Sequence, residues 1–501
     1  MSGKVYLVGA GPGDEGLITA YAKSLLKDAD IVFYDRLAND QLLKWTSPEA
    51  ELVYVGKKAG DHSYSQQEIN KLLIEKAKEG KLVLRLKGGD SFIFGRGGEE
   101  TLALKEAEVE FEVVPGITSA AAVPAYAGIP LTHRDFSSSA AFVSGHLAPG
   151  SEKDVNWEQL AQGVETLVIL MGVGNLDKIV DKLLAAGRSP QTPIALIRWG
   201  SWPKQETIKG KLENIVSKVR EAQFKPPAVT VVGEVVKLRE KLNWFETKPL
   251  FGRQIAVTRP PHQAESFCRL LRRKGANPLT TPAIEIEPPE SFGPLDDKLA
   301  HLGDYDWVIF TSQNGVDYTL ERLFALGDDV RAFGSVKIAA IGSKTGARLE
   351  EYGLRADYVP KEYVSEALLE GFSKQDLTGQ KFFLPRADIA RPKLETGLEN
   401  LGAEVDNITA YQTVRGSEVE DLLPRLKEGT VEVVTFTSSS TVQNLLSALG
   451  EDYQDLLAEV KLACIGPITA QTAEKAGLEV DITAEEYTIE GLVRAIEEYF
   501  S

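Results

Sequence analysis

Cysteine and methionine are both scarce in this 501-residue chain, each occurring twice. Cys268 and Cys464 have neither the spacing of a metal knuckle nor the density of a disulfide framework, so no metal is expected and a reducing compartment, the cytoplasm, is. No run of about 18 or more apolar residues occurs and no leader pattern precedes the first strand, which leaves no expectation of a membrane-spanning helix. Positive charge is also in deficit: 56 Lys and Arg face 73 Asp and Glu, a net charge of −17. Such a surface repels phosphate backbones and anionic headgroups, so neither nucleic acid nor membrane is an expected partner. A local basic pocket for an acidic small molecule is still compatible with it. The 43% hydrophobic content suits a folded soluble chain. Its length predicts roughly three or four units of about 100 to 200 residues.

Glycine is concentrated where strands end. Lys81-Leu82-Val83-Leu84-Arg85-Leu86 reads as a strand, and Lys87-Gly88-Gly89-Asp90-Ser91-Phe92-Ile93-Phe94-Gly95-Arg96-Gly97-Gly98 follows before an acidic helix start at Glu99-Glu100. Glycines on such a loop allow positive φ and let a ligand reach bare backbone, although an ordinary glycine-rich loop has the same composition. Lys4-Val5-Tyr6-Leu7-Val8 is a buried strand leading into Gly9-Ala10-Gly11-Pro12-Gly13-Asp14, close to a dinucleotide fingerprint with Asp35 at a ribose-like distance. Asp14 stands where the last glycine belongs, and Pro12 lacks a donor a pyrophosphate would want, which favours a cleft for an unphosphorylated ligand over a nicotinamide site. Asp35 and Lys57 end the second and third strands, on the edge where open α/β sheets bind ligands. Val114-Pro115-Gly116-Ile117-Thr118-Ser119 is a turn and helix cap. Four further strands start at Ala140, Thr166, Pro193 and Ala228, so the first half divides into two lobes around residue 116. Met171, at a strand end before Gly172, suggests a ligand-facing side chain.

Together with Tyr34-Asp35-Arg36-Leu37, Val55-Gly56-Lys57-Lys58, Phe94-Gly95-Arg96-Gly97-Gly98-Glu99-Glu100 and Gly128-Ile129-Pro130-Leu131-Thr132-His133-Arg134, these motifs resemble the uroporphyrinogen-III C-methyltransferases over residues 3–246. Ser91 departs from them where proline is usual. The resemblance implies a two-lobed α/β/α tetrapyrrole methylase, a homodimer through this half, that binds S-adenosyl-L-methionine at Pro12, Gly88, Gly89, Asp90, Ile93, Thr118, Ser119, Met171, Gly200 and Ala228. It places Asp35 as proton acceptor and Lys57 as proton donor; Arg36, Lys58, Arg96 and Arg134 would then meet the tetrapyrrole's carboxylates.

After a break at 249–252 the chain repeats itself. Gly252-Arg253-Gln254-Ile255-Ala256-Val257-Thr258-Arg259 parallels Gly379-Gln380-Lys381-Phe382-Phe383-Leu384-Pro385-Arg386, and Trp307 to Ser312 parallels Val433 to Ser438. Val336 to Gly342 parallels Val460 to Gly466, and Glu362 to Leu368 parallels Glu486 to Leu492. Two similar parallel-sheet lobes are expected. Hydroxyls at helix starts can receive anions or simply cap helices. The pattern resembles uroporphyrinogen-III synthase over about residues 252–500, carried by Phe310-Thr311-Ser312-Gln313-Asn314-Gly315, Ala410-Tyr411-Gln412-Thr413 and Ile465-Gly466-Pro467-Ile468-Thr469. This implies cofactor-free closure of hydroxymethylbilane with inversion of its last ring, Tyr411 assisting hydroxyl departure and Arg259, Thr311, Ser312, Arg386, Thr437, Ser438 and Thr469 gripping carboxylates.

The expected architecture is α/β throughout: a methylase at 1–248 (lobes 1–116 and 117–248), a linker at 249–252, and a synthase at 252–501 with lobe one at 252–285 plus 414–501 and lobe two at 286–413. The expected function is two consecutive steps, uroporphyrinogen III formation and its double methylation to precorrin-2. A nicotinamide-dependent oxidoreductase, or a methyltransferase joined to a non-catalytic binding module, are the alternatives.

Overall fold

A computed structural model describes residues 3–56, 64–146, 155–334, 336–361, 365–390, 392–416 and 419–501. Lys57, Lys58 and the repeat residues Glu362 to Val364 lie outside them. The chain divides into two compact units, Met1–Gln254 with Arg269–Asn277 and Glu497–Ser501, and Ile255–Cys268 with Pro278–Ile496.

In the first unit, β1 (Lys4–Gly9), β2 (Ile31–Tyr34), β3 (Glu51–Tyr54), β4 (Leu82–Lys87) and β5 (Glu110–Val114) form an all-parallel sheet in the order β3-β2-β4-β1-β5. Its apolar strands are nearly continuous because both faces are covered. Val8, Val32 and Leu84 pack on one side with Leu26, and Val5, Leu7, Phe33 and Val83 on the other with Leu73. From β1 the chain crosses to β2, whereas from β4 it crosses through the Gly97–Glu106 helix to β5. The adjacent ends of β1 and β4 are thus the switch point where ligands enter open α/β sheets. A second sheet joins β6 (Ala140–Ser144), β7 (Thr166–Leu170), β8 (Pro193–Arg198), β9 (Glu206–Lys211) and β10 (Ala228–Val232) in the order β6-β7-β10-β8-β9. Only β6 and β7 run parallel. The half-exposed β9 is absent from the sequence reading, because its polar Glu206-Thr207-Ile208-Lys209-Gly210-Lys211 lacks an apolar face.

The second unit has two sheets. One contains β11 (Gln254–Val257), β12 (Asn277–Thr280), β18 (Val433–Phe436), β19 (Lys461–Cys464) and β20 (Ile482–Thr483) in the order β12-β11-β18-β19-β20. The other contains β13 (Ile284–Glu287), β14 (Trp307–Phe310), β15 (Lys337–Ala340), β16 (Lys381–Ala387) and β17 (Glu404–Arg415) in the order β13-β17-β16-β14-β15. The sequence repeat is therefore not one copy per lobe. β11 of the first copy pairs with β18 of the second, and β14 of the first with β16 of the second.

The crossings between these lobes fix which edges lie together. β12 runs parallel to β11, as the bonds from Asn277 N–H to the Arg253 carbonyl (2.8 Å) and Thr281 N–H to the Val257 carbonyl (2.9 Å) show. It therefore leaves lobe one at the carboxyl edge. Three residues later β13 enters lobe two antiparallel to β17, with Ile284 opposite Arg415, again at the carboxyl edge. The return at Gly416 is bonded to the Ala283 carbonyl at 3.0 Å. Three residues span at most about 10 Å. Both carboxyl edges thus meet at one two-stranded hinge.

Candidate active sites

The loops after β1, β4 and β5 approach closely because glycine removes the side chains that would separate them. A Cβ on Gly9 would lie 2.5 Å from Gly116 Cα, and Gly11 and Gly89 exchange backbone hydrogen bonds of 3.1 and 2.7 Å. Gly13, at φ 148°, packs on the Trp202 indole so closely that no side chain fits. The glycine loop is thereby one wall of a cavity of about 430 Å³. Pro12, Gly88, Gly89, Ser119, Met171, Gly200 and Ala228 all line it, brought from both sheets of the first unit. Met171 is 51% exposed and held at φ 57°, a conformation that costs a non-glycine residue about 1–2 kcal/mol.

Asp90, Ile93 and Thr118 are not among the lining residues. The Asp90 carboxylate accepts the N–H groups of Phe92 (2.8 Å), Ile93 (3.1 Å) and Gly116 (2.9 Å), fastening the wall to the β5 loop. Thr118 caps the Ser119–Tyr126 helix through Ala120 N–H. Asp14 accepts Gly16 N–H and the Tyr126 hydroxyl, both at 2.8 Å. Asp14 thus caps the Glu15–Leu17 turn and puts a carboxylate on the loop that in a dinucleotide fingerprint would approach pyrophosphate.

Asp35 directly follows β2 with its side chain 27% exposed; Arg36 and Leu37, next in the chain, line the cavity. Its Oδ2 lies 3.2 Å from Arg85 Nη2. Arg85 in turn reaches Glu100 at 3.3 Å, and Lys87 reaches the same Glu100 oxygen at 2.8 Å. Burial pushes the Lys87 ammonium below its ordinary pKa, and Arg85 adds to the effect against the pull of Glu100. In the sequence Glu100 reads only as part of an acidic helix start, and Arg85 and Lys87 carry no role of their own. Two cations two residues apart on a strand buried on both faces were the signal, since buried charges need partners. Trp199 and Trp202 also line the cavity unread, and the Lys204 ammonium sits 3.9 Å from the Trp199 ring centroid.

Of the arginines expected to meet carboxylates, Arg96 is already paired with Glu99 at 2.9 and 2.6 Å, and Arg134 is exposed on a turn.

In the second unit the candidate groups gather at the carboxyl edges. Ser312 caps the Gln313–Ala325 helix, accepting Gly315 N–H at 3.0 Å, and its Oγ lies 2.9 Å from the Tyr411 hydroxyl. A bulge sets this contact: Arg386 faces Thr409 but the next residue, Ala387, faces Tyr411, so Ala410 is extra and Tyr411 is re-aimed. Burial holds the Tyr411 hydroxyl above its ordinary pKa. In lobe one Ser438 caps the Ser439–Leu449 helix through Thr441 N–H, beside a half-buried Thr437. Arg259 is half-buried and bonds Gln263 at 2.9 Å. Arg386 is buried, with Nε on Asn407 (2.9 Å) and Nη2 on Glu395 (3.3 Å). Thr469 is buried in the first turn of the Pro467–Lys475 helix. Among the described residues no cluster of His, Cys, Asp or Glu could hold a metal ion, and no helix is long and apolar enough to cross a membrane.

A switch-point cavity walled by bare glycine backbone, with a strand-end acid next in the chain to its lining, and a hinged pair of α/β lobes define a double α/β enzyme for small molecules. Residues 4–216 match the Tetrapyrrole (Corrin/Porphyrin) Methylases and residues 265–494 match Uroporphyrinogen-III synthase HemD. The chain is 38% identical over 496 residues to Porphyrin biosynthesis protein HemD of Ruminiclostridium josui, covering 98% of this chain and 97% of that one. It is 53% identical over 240 residues to Uroporphyrinogen-III C-methyltransferase of Methanocaldococcus jannaschii, covering 48% of this chain and 98% of that one. Uroporphyrin-III C-methyl transferase of Thermus thermophilus, crystallised with S-adenyl homocysteine, is 44% identical with a TM-score of 0.42, covering 47% of this chain and 100% of that one. The chain belongs to the tetrapyrrole methylase family in its first half and to the uroporphyrinogen-III synthase family in its second, a bifunctional enzyme of tetrapyrrole biosynthesis. The nicotinamide alternative falls with that finding.

Proposed function

We propose that the second half closes hydroxymethylbilane to uroporphyrinogen III with inversion of the last ring. The first half then methylates that product twice with S-adenosylmethionine, giving precorrin-2. The halves are divided at the 249–252 linker. The observation that carries this reading is the cavity in which Pro12, Gly88, Gly89, Met171 and Ala228 converge, on a loop that carries the Asp14 carboxylate. Such a site suits a sulfonium nucleoside, which carries no phosphate. S-adenosylmethionine supplies an electrophilic methyl group. The chain's own work is alignment and proton management. Gly88 and Gly89 offer backbone at contact distance, and Leu37, Val123 and Ile197 keep water from the lining. Asp35 Oδ2, held by Arg85, accepts the proton that the methylated ring system must shed. Arg36, exposed at the mouth, meets a substrate carboxylate.

In the second half the Tyr411 hydroxyl, 2.9 Å from Ser312 Oγ, gives its proton to the departing hydroxyl, which leaves as water. The free thiols of Cys268 and Cys464 fit work in the cytoplasm. Exposed Phe92, Phe94 and Leu102 beside the glycine loop fit pairing with a second copy.

Mass spectrometry of products from hydroxymethylbilane and S-adenosylmethionine tests the whole reading: a doubly methylated uroporphyrinogen III is expected. Only the uncatalysed ring isomer would refute the second half, and preference for NAD over S-adenosylmethionine in equilibrium binding would refute the first. Asp35→Ala is expected to lower the single-turnover methylation rate by about 100-fold or more with cofactor affinity within about threefold. An unchanged rate removes Asp35 from the mechanism.

A further inference from the structure

Large apolar side chains left in water single out one part of the second unit. Ile468 is 76% exposed, Ile389 67% and Tyr487 65%, well above Leu326, Phe324 and Val359, the other large apolar residues exposed there. Leu326 and Phe324 sit at the far end of the Gln313–Ala325 helix, away from the carboxyl edge. Ile389, Ile468 and Tyr487 all lie on carboxyl edges: Ile389 follows β16 in lobe two, Ile468 follows β19 and Tyr487 follows β20 in lobe one. Single exposed apolar residues are common and need no explanation. Here each is also pinned to the candidate site.

The Ile389 turn is fastened to the hinge strand at Tyr411. Asp388 N–H donates to the Tyr411 carbonyl at 3.2 Å, the Asp388 carboxylate accepts Thr413 N–H at 2.9 Å, and Ala390 N–H closes the turn on Ala387 at 3.1 Å. The Ile468 carbonyl accepts the hydroxyls of Thr472 (2.9 Å) and Ser439 (3.5 Å), which ties it to the residue following the Ser438 cap. The Tyr487 ring stacks on Gly466 so tightly that a Cβ there would lie 3.0 Å from ring carbon Cδ1. The side chains are thus presented on fixed backbone, and little ordering entropy is lost when a ligand covers them. Ile468 lies in the first turn of the Pro467–Lys475 helix and its carbonyl meets Ser439, the first residue of the Ser439–Leu449 helix; N–H groups at such helix starts favour carboxylates. Apolar contacts interleaved with anion-receptive helix starts suit a chain of pyrrole rings fringed with carboxylates.

We propose that Ile389, Ile468 and Tyr487 are the contacts that hold the pyrrole rings of the linear tetrapyrrole across the two carboxyl edges, and so set its affinity. The inference rests on the synthase reading above. Its test uses the full chain, freshly made hydroxymethylbilane, and the double variant Ile389→Ser with Ile468→Ser. The KM of ring closure is expected to rise at least about tenfold with kcat within about threefold, and Ile389→Leu with Ile468→Leu to return KM to within about twofold. Methylation of supplied uroporphyrinogen III by the same double-serine protein stays at the unmutated rate, and its circular dichroism and urea midpoints match the unmutated chain, which shows that both halves are folded. If the unmutated chain makes the inverted isomer and the double-serine variant keeps its KM, the inference is overturned. A double-serine variant with unchanged KM but a lower mass by light scattering overturns it equally, assigning these side chains to self-association. If the unmutated chain yields only the uncatalysed isomer, the synthase reading fails and takes the inference with it.

Discussion

Replacing Glu100 by glutamine keeps the shape of a fully buried side chain and removes its charge. Its Oε1 receives Lys87 Nζ at 2.8 Å, Gln66 Nε2 at 3.1 Å and Arg85 Nε at 3.3 Å. At an effective dielectric constant of about 20 the two ion pairs are worth roughly 6 and 5 kcal/mol of gross attraction. Against this stands the desolvation of all three ions, and removal of one partner from a buried cluster typically costs about 3–5 kcal/mol. Lys87 has an escape, because its ammonium is already below the ordinary value through burial and drops further without Glu100. Shedding that proton at pH 7 costs at most about 4.8 kcal/mol, which is 1.36 kcal/mol for each pH unit below the unfolded lysine value of about 10.5. At pH 9.5 the same escape costs about 1.4 kcal/mol. A lysine whose folded pKa is lowered binds fewer protons folded than unfolded, so its contribution to stability rises with pH up to the unfolded pKa. The loss in Glu100→Gln is therefore about 3–5 kcal/mol at pH 7 and smaller at pH 9.5. Urea unfolding at both pH values measures it, followed by tryptophan emission. Trp45, Trp157, Trp199, Trp202 and Trp244 all lie in the first half, against Trp307 alone in the second. A loss under about 1 kcal/mol at pH 7, or one equal at both pH values, would refute the reasoning.

Tyr411→Phe removes the phenol that Ser312 contacts and should lower kcat for ring closure by about 100-fold with KM within about threefold; an unchanged kcat makes Tyr411 a packing residue. Gly13→Ala drives a methyl group into the Trp202 indole at φ 148° and should weaken S-adenosylmethionine binding at least about tenfold by calorimetry. Equal affinity would show that Trp202 moves aside freely. Ser91 is fully buried with a hydroxyl that has no partner among the described residues, so Ser91→Ala should stabilise the first half by about 1 kcal/mol. A lowered melting temperature counts against that expectation.

Strand-end motifs were the most legible part of the site. Gly11, Gly88 and Gly89 were legible as bare backbone at strand ends and they line the cavity, although an ordinary glycine-rich loop has the same composition. The charged interior was not legible. Arg85 and Lys87 look in sequence like the polar alternation of a half-exposed strand, and only the covering of both faces of β4 turns them into buried ions that Glu100 must match. Arg386 is named for substrate carboxylates by the family resemblance; that Glu395 and Asn407 hold its guanidinium depends on partners brought by other elements, which cannot be read from spacing. The bulge that aims Tyr411 depends on pairing register and was equally invisible.

The exchange of strands between the two repeat copies also fixes an order of assembly. Lobe two is continuous from Ile284 to Arg415 and can close as soon as that stretch has been synthesised. β11 is made earlier, yet Ile255 pairs with Val433 and must wait for it, roughly 10–35 s at translation rates of about 5–20 residues per second. Throughout that interval the nascent chain carries an apolar strand with one open edge, the form most prone to pairing with a neighbouring chain. The vulnerable moment of biogenesis for this enzyme thus falls between its two synthase lobes, and the slowest lobe to mature is the one whose first strand is made earliest.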